Sequence, residues 1–145
     1  MTMSEATRKC PGCKLNPEEV EAARPSGDAE AAGVLALSPP SGRPEKLLLV
    51  GDKAAGELAV LLGHFGGPLA VRMFAAVCLA DLCEHDLALA VGGDSDEFRA
   101  ELAHLLEDNF VYRFPSGGAE VIAAGNPALR RFFIKRFEPP RDASD

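Results

Sequence analysis

Two short segments of this chain carry side chains that bind soft metal ions. Cys10 and Cys13 form a Cys-x-x-Cys pair near the N-terminus. Cys83, His85 and Asp86 place a thiol, an imidazole and a carboxylate at the start of one short apolar helix. Soft-metal sites are built from such groups, because thiolates and imidazoles are the ligands that zinc and similar ions prefer. These five residues are therefore the candidate metal ligands of the chain.

The four cysteines also allow other interpretations. The pair Cys10 and Cys13 is compatible with redox chemistry, but no apolar strand precedes it, as one does in a thioredoxin-like unit. Together with Cys78 and Cys83, the pair offers the four thiolates that an iron–sulfur cluster needs. Alternatively, Cys78 and Cys83 are small buried side chains without any ligand role. The number and spacing of the cysteines favour a reducing compartment over a disulfide scaffold.

Length and composition indicate one globular domain with additional tails. The chain has 145 residues, of which 47% are hydrophobic and 26% are charged, and domains usually have about 100 to 150 residues. No apolar run approaches the roughly 20 residues that cross a bilayer. The N-terminus lacks the apolar core of a secretory signal. We therefore expect a soluble, cytoplasmic protein with no membrane partner.

Composition divides the chain near residue 45. Residues 1–45 are rich in proline and glycine and are predicted to form a flexible arm that carries the Cys-Pro-Gly-Cys motif. Within this arm, Asn16 and Pro17 predict the start of one short helix, and residues 33–37 form either a strand or a partner-facing patch. Residues 46–138 are predicted to be the folded domain, and residues 139–145 a disordered tail.

Hydrophobic periodicity in the folded domain predicts helices and one hairpin. Residues 111–114 and 119–123 alternate as two strands around a turn. Gly92 and Gly93 form a tight turn between two helices. The predicted helices cover residues 52–64, 68–79 and 84–91, with further helices that begin at 94 and at 127. This order predicts a mainly α fold with a small β-hairpin wing (α+β), namely a winged helix-turn-helix.

The last predicted helix carries an aromatic flank. Phe132, Phe133 and Phe137 lie on this helix, and a core of this size is expected to be too small to hide them all. Exposed apolar surface of this kind marks contact with another molecule. The flank therefore predicts a homodimer formed through the last helix.

Three sequence patterns resemble those of the ArsR/SmtB family of winged-helix repressors. The segment Leu82-Cys83-Glu84-His85-Asp86-Leu87-Ala88 matches the family pattern leucine, cysteine, two variable residues, aspartate, leucine, alanine. The glycines and proline at 66–68 match the start of the second helix. The serine and glycines at 116–118 match the turn of the wing. The resemblance covers approximately residues 54–137.

The resemblance implies a homodimeric repressor that metal binding releases from operator DNA. With the Cys-x-x-Cys pair, the sequence thus predicts a metal- or redox-responsive transcriptional regulator. One type of site in the family combines thiols of an N-terminal arm with groups at the start of the helix that carries the cysteine motif. Here Cys10 and Cys13 match the arm, and Cys83, His85 and Asp86 match the helix. The implied effector is zinc, cadmium or lead, and the arm is expected to reach a partner subunit.

Residues 94–101, which match the start of the family's DNA-reading helix, are rich in acidic side chains. Where the family carries serine, serine and histidine, residues 94–101 include several carboxylates, and the formal net charge is -7. Carboxylates repel phosphates, whose neutralisation supplies much of the affinity for DNA. Ser95, Arg99 and Arg113 remain the candidate DNA contacts. The alternative hypothesis is therefore a protein-interaction module that does not bind DNA and has a structural zinc or iron–sulfur site.

Catalysis has little support in the sequence. No nucleophile and base stand out as a pair, and the single tyrosine lies on the predicted wing. An enzyme needs such groups within hydrogen-bonding reach of one another. We therefore do not expect an enzyme.

Overall fold

The computed structural model describes residues 13–24, 32–37, 45–63, 67–116 and 118–137. These residues form an α+β fold of six helices and two small antiparallel sheets, compatible with the predicted class. No helix in these ranges is both long and apolar enough to cross a membrane. The helices are α1 Pro17–Ala23, α2 Asp52–Leu62, α3 Pro68–Leu79, α4 Glu84–Ala90, α5 Asp96–Glu107 and α6 Pro127–Phe137. The strands are β1 Ala32–Leu37, β2 Glu45–Val50, β3 Leu82–Cys83, β4 Val111–Ser116 and β5 Ala119–Ala124.

Helix α3 forms the centre of the core. Pro68 occupies its first turn, where the missing N–H of proline has no helical partner to lose. Most of its side chains are buried, and the helix packs against α2, α4, α5, α6 and β2. The Phe74 ring meets the Phe133 ring of α6 edge-on, with centroids 4.9 Å apart. Because a helix that is apolar on all sides must be surrounded, α3 sets the positions of the elements that carry the candidate site.

The segment that contains α1 belongs to the core and is not a flexible arm. Leu15 and Val20 are 2% and 0% exposed and pack in the same apolar cluster as α3. Asn16 caps α1, since its side-chain oxygen accepts the backbone N–H of Glu18 at 2.9 Å. The predicted flexible arm is therefore wrong for residues 13–24. The physical reason is that two buried apolar side chains and a cap hold this short helix against the core.

Strand β1, at residues 32–37, lies before the predicted start of the folded domain at residue 46 but pairs with β2 of that domain. They pair antiparallel, with Ala32 opposite Val50 and Leu37 opposite Glu45. This pairing confirms the strand interpretation of residues 33–37, whereas β2 has no counterpart among the predicted elements. The side chains of β2 at 47–50 are all buried. A run that is buried on both faces lacks the alternation that identifies a half-exposed strand.

The chain from α4 to β5 follows the predicted order. Gly92 and Gly93, between α4 and α5, have φ angles of 113° and 129°, which glycine adopts without strain. Ser95 caps α5, because its Oγ accepts the N–H of Phe98 at 3.0 Å. The helix therefore begins slightly after the predicted Asp94. Strands β4 and β5 form the predicted hairpin, and β3 adds a short third strand beside β5.

The aromatic flank of α6 is largely buried within the single chain. Phe133 and Phe137 are 0% and 4% exposed, whereas Phe132 is 41% exposed. The expectation that this core is too small for the flank is therefore wrong for Phe133 and Phe137, because Phe133 packs against Phe74 of α3 and Phe137 packs against Phe133. Only Phe132 remains available to a second molecule.

Replacing Leu15 tests whether the N-terminal segment is part of the core. We expect Leu15→Ala to lower the free energy of unfolding by about 2 to 5 kcal/mol, because it removes buried methyl groups and leaves a cavity. Leu61→Ala is the matched control, since Leu61 is 73% exposed and surface substitutions change stability by about 0.5 kcal/mol or less. Urea unfolding measures both variants. Equal midpoints for the two variants would contradict the docking of this segment.

Candidate metal centre

Cys83 lies where strand β3 passes into helix α4. It is the N-cap residue of α4, in an extended conformation, and its Sγ accepts the backbone N–H of Asp86 at 3.4 Å. On the other side, Cys83 pairs with Val121 of strand β5. The thiol is therefore held between the start of a helix and a sheet, and it is 2% exposed.

Cys13 and His85 bring two further donor atoms to Cys83. The Sγ atoms of Cys13 and Cys83 are 3.3 Å apart, and Cys13 Sγ is 4.0 Å from His85 Nδ1. All three donor atoms lie within 4.8 Å of one another. The structure thus brings together three of the predicted ligands, from positions 70 and 72 residues apart in the chain.

This donor set fits a soft divalent ion in its chemistry and spacing. A zinc ion at about 2.3 Å from each of two sulfurs, in tetrahedral geometry, separates those sulfurs by about 3.8 Å. The sulfur–sulfur distance of 3.3 Å requires only a small opening of the site to reach that value. Two thiolates and one imidazole leave one tetrahedral position for a fourth ligand. Cys10, the predicted third thiol, lies outside the described residues.

Asp86 is adjacent to the cluster but does not belong to it. Among the described residues, the donor group consists of Cys13, Cys83 and His85. The Oδ2 of Asp86 instead accepts the backbone N–H of Lys14 at 2.6 Å. The prediction of Asp86 as a direct ligand is therefore not supported by its geometry, because its carboxylate is engaged with the backbone next to Cys13.

Cys78 is also separate from the cluster. It is fully buried on α3, and burial raises the pKa of its thiol to about 12, although the charge of Arg130 opposes this shift. Among the described residues, the cluster of donor atoms does not include Cys78. The four-cysteine set predicted for an iron–sulfur cluster is therefore not assembled by the described residues, whereas the interpretation of Cys78 as a small buried side chain is confirmed.

An open cleft gives solvent access to one side of the centre. Its volume is about 470 Å³, and its lining includes His85, Glu84 and Asp94, with Phe98 at its apolar wall. His85 itself is exposed. The carboxylates at this cleft attract cations, so an ion can approach the imidazole from solvent while the thiol of Cys83 remains covered.

The three predicted DNA contacts all have partners within the chain. Ser95 caps α5. Arg99 pairs with Asp94 at 2.7 Å and with Asp96 at 2.6 Å.

Arg113 of β4 pairs with Glu84 of α4 at 3.3 Å and with Glu120 of β5 at 3.7 Å. Each of the two arginines is therefore flanked by two carboxylates. These carboxylates reduce the positive potential that either guanidinium presents to a phosphate.

Sequence reasoning missed two charged residues, Lys14 and Glu45, that form an ion pair next to Cys13. The ammonium group of Lys14 forms an ion pair with the carboxylate of Glu45, at the start of β2. Burial and the nearby charge of Glu45 raise the pKa of the Asp81 carboxyl above its usual range. Neither Lys14 nor Glu45 belongs to a recognisable motif, and their contact depends on the unpredicted strand β2.

No known protein-family model matches this chain, and no curated protein and no solved structure is significantly similar to it. The ArsR/SmtB resemblance therefore rests on the sequence motifs alone and stays a prediction.

Cadmium titration tests the three-residue cluster. We expect cadmium to produce an ultraviolet thiolate-to-metal charge-transfer band that loses most of its intensity in Cys13→Ser and in Cys83→Ser, because each variant removes one of the two described thiolates. Cys10→Ser tests the predicted third thiol. Cys78→Ala is the control and should keep the full band, since Cys78 is not in the cluster. An unchanged band in Cys83→Ser would exclude this site.

Proposed function

We propose that this protein is a homodimeric transcriptional repressor of the ArsR/SmtB type that a soft metal ion releases from operator DNA. The observation that carries the proposal is the cluster of Cys13, Cys83 and His85 at the first turn of α4. Zinc, cadmium and lead match these donors. A chain that places such a cluster beside a helix-turn-helix unit can convert metal binding into a change in DNA affinity.

The order of elements supports a winged helix-turn-helix. Helices α4 and α5 are joined by a tight turn at two glycines of positive φ, as in helix-turn-helix units. The hairpin of β4 and β5 follows directly and corresponds to the wing. Helix α5 is then the element that would enter the major groove.

Two contacts connect the cluster to the proposed wing. Cys83 pairs with Val121 through the β3–β5 ladder. Glu84, the next residue, forms the ion pair with Arg113 of β4. A metal that draws Cys83 and His85 together therefore acts on both α4 and the hairpin. Because these are the elements of the proposed DNA-binding surface, this arrangement supports allosteric release of DNA by metal.

Charge favours a second candidate function, a winged-helix module that binds a protein. The first residues of the α5 region expose Asp94, Asp96 and Glu97 to solvent. Arg99, on the same helix, is already paired with two of them. A surface of this sign suits a basic protein partner better than a phosphate backbone. In this alternative the metal has a structural role.

Fluorescence anisotropy on DNA from upstream of its own gene distinguishes the two functions. At low salt we expect saturable binding that resists competitor DNA, and we expect zinc or cadmium to weaken it at least tenfold, which is the size of a common allosteric coupling. Cys83→Ser should bind the same DNA but ignore the metal. Cys78→Ala is the control and should respond as the wild-type protein does.

Absence of DNA binding by folded protein, both with and without metal, would contradict the repressor. If cadmium still gave its charge-transfer band in that case, the interaction module with a structural metal would be favoured, and a search for protein partners would follow.

Phe132→Asp tests the proposed dimer. Phe132 is exposed on α6, so a charge there should disrupt an interface through this helix without disturbing the core. We expect a dimer for the wild-type protein and a monomer for this variant in sedimentation velocity. Tyr112→Asp is the control, since Tyr112 is an aromatic residue on β4 that is 50% exposed, slightly more than Phe132. A dimer that persists in Phe132→Asp would place the interface elsewhere.

A further inference from the structure

Asp86 is a buried charged side chain whose position needs an explanation. It is 2% exposed and is the only charged residue in the buried class within the described part of the chain. A buried carboxylate is costly unless hydrogen bonds satisfy it. Its Oδ2 accepts the backbone N–H of Lys14 at 2.6 Å, a short bond of the kind that a charged acceptor forms. The carboxylate therefore joins α4 to the backbone one residue after Cys13.

Residues 14–16, which follow Cys13, make further contacts with other elements of the same subunit. The Lys14 ammonium pairs with Glu45 of β2, and its side chain is only 8% exposed. Leu15 is buried in the core, and α1 begins directly after Asn16. Cys13 is thus followed by three residues, each of which is fixed by contacts within one subunit. Its Sγ consequently lies 3.3 Å from Cys83 Sγ of that subunit.

We propose that Asp86 is a positioning residue that fastens Cys13 to helix α4 of its own chain, so that a single chain supplies Cys13, Cys83 and His85 to each metal site. This inference deepens the proposed function, since it concerns how the same site is assembled. It differs from the expectation that the arm reaches a partner subunit. The contacts of Lys14 and Leu15 would have to break before Cys13 could reach a second chain.

Variants of Asp86 separate positioning from ligation. Asp86→Ala removes the acceptor for Lys14 and should weaken cadmium binding about tenfold or more, as loss of a group that orients ligands does. Asp86→Asn keeps an oxygen acceptor and should recover most of the affinity. Lys14→Ala keeps the backbone N–H that Asp86 accepts and removes only the ion pair to Glu45, so it should weaken cadmium binding less than Asp86→Ala does.

A second readout reports the position of Cys13 directly. In metal-free protein, alkylation of Cys13 should be faster in Asp86→Ala than in the wild type or in Asp86→Asn, while Cys78 stays protected in all three. Wild-type cadmium affinity and wild-type alkylation in Asp86→Ala would overturn the positioning role. Equal weakening in Asp86→Asn and Asp86→Ala would also overturn it, since a direct ligand gives that result.

Subunit mixing tests whether the site lies within one chain. Cys13→Ser and Cys83→Ser chains are co-expressed with different tags, and the mixed dimer is purified through both tags. Neither chain has a complete site of its own, so we expect the mixed dimer to lack the cadmium charge-transfer band. If the arm crosses to the partner, the mixed dimer contains one intact site, and a band of about half the wild-type intensity would overturn the inference.

Failure of the two tags to copurify would also be informative. The chain would then be a monomer, and a wild-type charge-transfer band that requires both Cys13 and Cys83 would itself support a site within one chain. The Asp86 variants and the mixed dimer are assayed by cadmium binding and not by DNA binding. A negative result there is therefore distinct from failure of the repressor proposal. If metal did not change DNA binding while the Asp86 variants bound cadmium as expected, only the repressor proposal would be overturned.

Discussion

The hydrogen bond between the buried Asp86 carboxylate and the Lys14 backbone is the contact on which the candidate site depends. It holds the backbone of Lys14, the residue after Cys13, against the first turn of α4. The bond is itself possible only because Leu15 and Val20 dock the segment in the core built around α3. The cluster of Cys13, Cys83 and His85 therefore depends on how the N-terminal segment packs, and not only on the ligand motifs.

Electrostatics is the main constraint on function. Arg99 and Arg113, the two arginines that the sequence predicts as DNA contacts, are each flanked by two carboxylates. Glu84, which pairs with Arg113 of the hairpin, directly follows Cys83 in the chain. The ion pair of the hairpin therefore lies beside the candidate metal ligands. The proposed repressor would need a change in these ion pairs on binding DNA, whereas a protein-binding module would need none.

Sequence patterns predicted the helices well and the packing poorly. Helices α2, α3 and α5 and the hairpin were predictable because local residues mark them: Pro68 begins α3 and Ser95 caps α5. The strand β2 and the docking of Leu15 were not, because continuous burial has no period and a docked segment depends on distant partners. Cys13, Cys83 and His85 were candidates from their chemistry, but Lys14 and the positioning role of Asp86 required the fold. Phe133 shows the same limit, since its burial depends on Phe74.

X-ray absorption at the zinc edge of the zinc-loaded protein tests the central claim most directly, because it reads the atoms bound to the metal. The structure predicts that the atoms bound to zinc include sulfur at about 2.3 Å together with imidazole nitrogen at about 2.0 Å, and that Cys13→Ser and Cys83→Ser each have fewer sulfur ligands than the wild-type protein. A first shell of nitrogen and oxygen alone in the wild-type protein would contradict the assignment of Cys13, Cys83 and His85 as a metal centre.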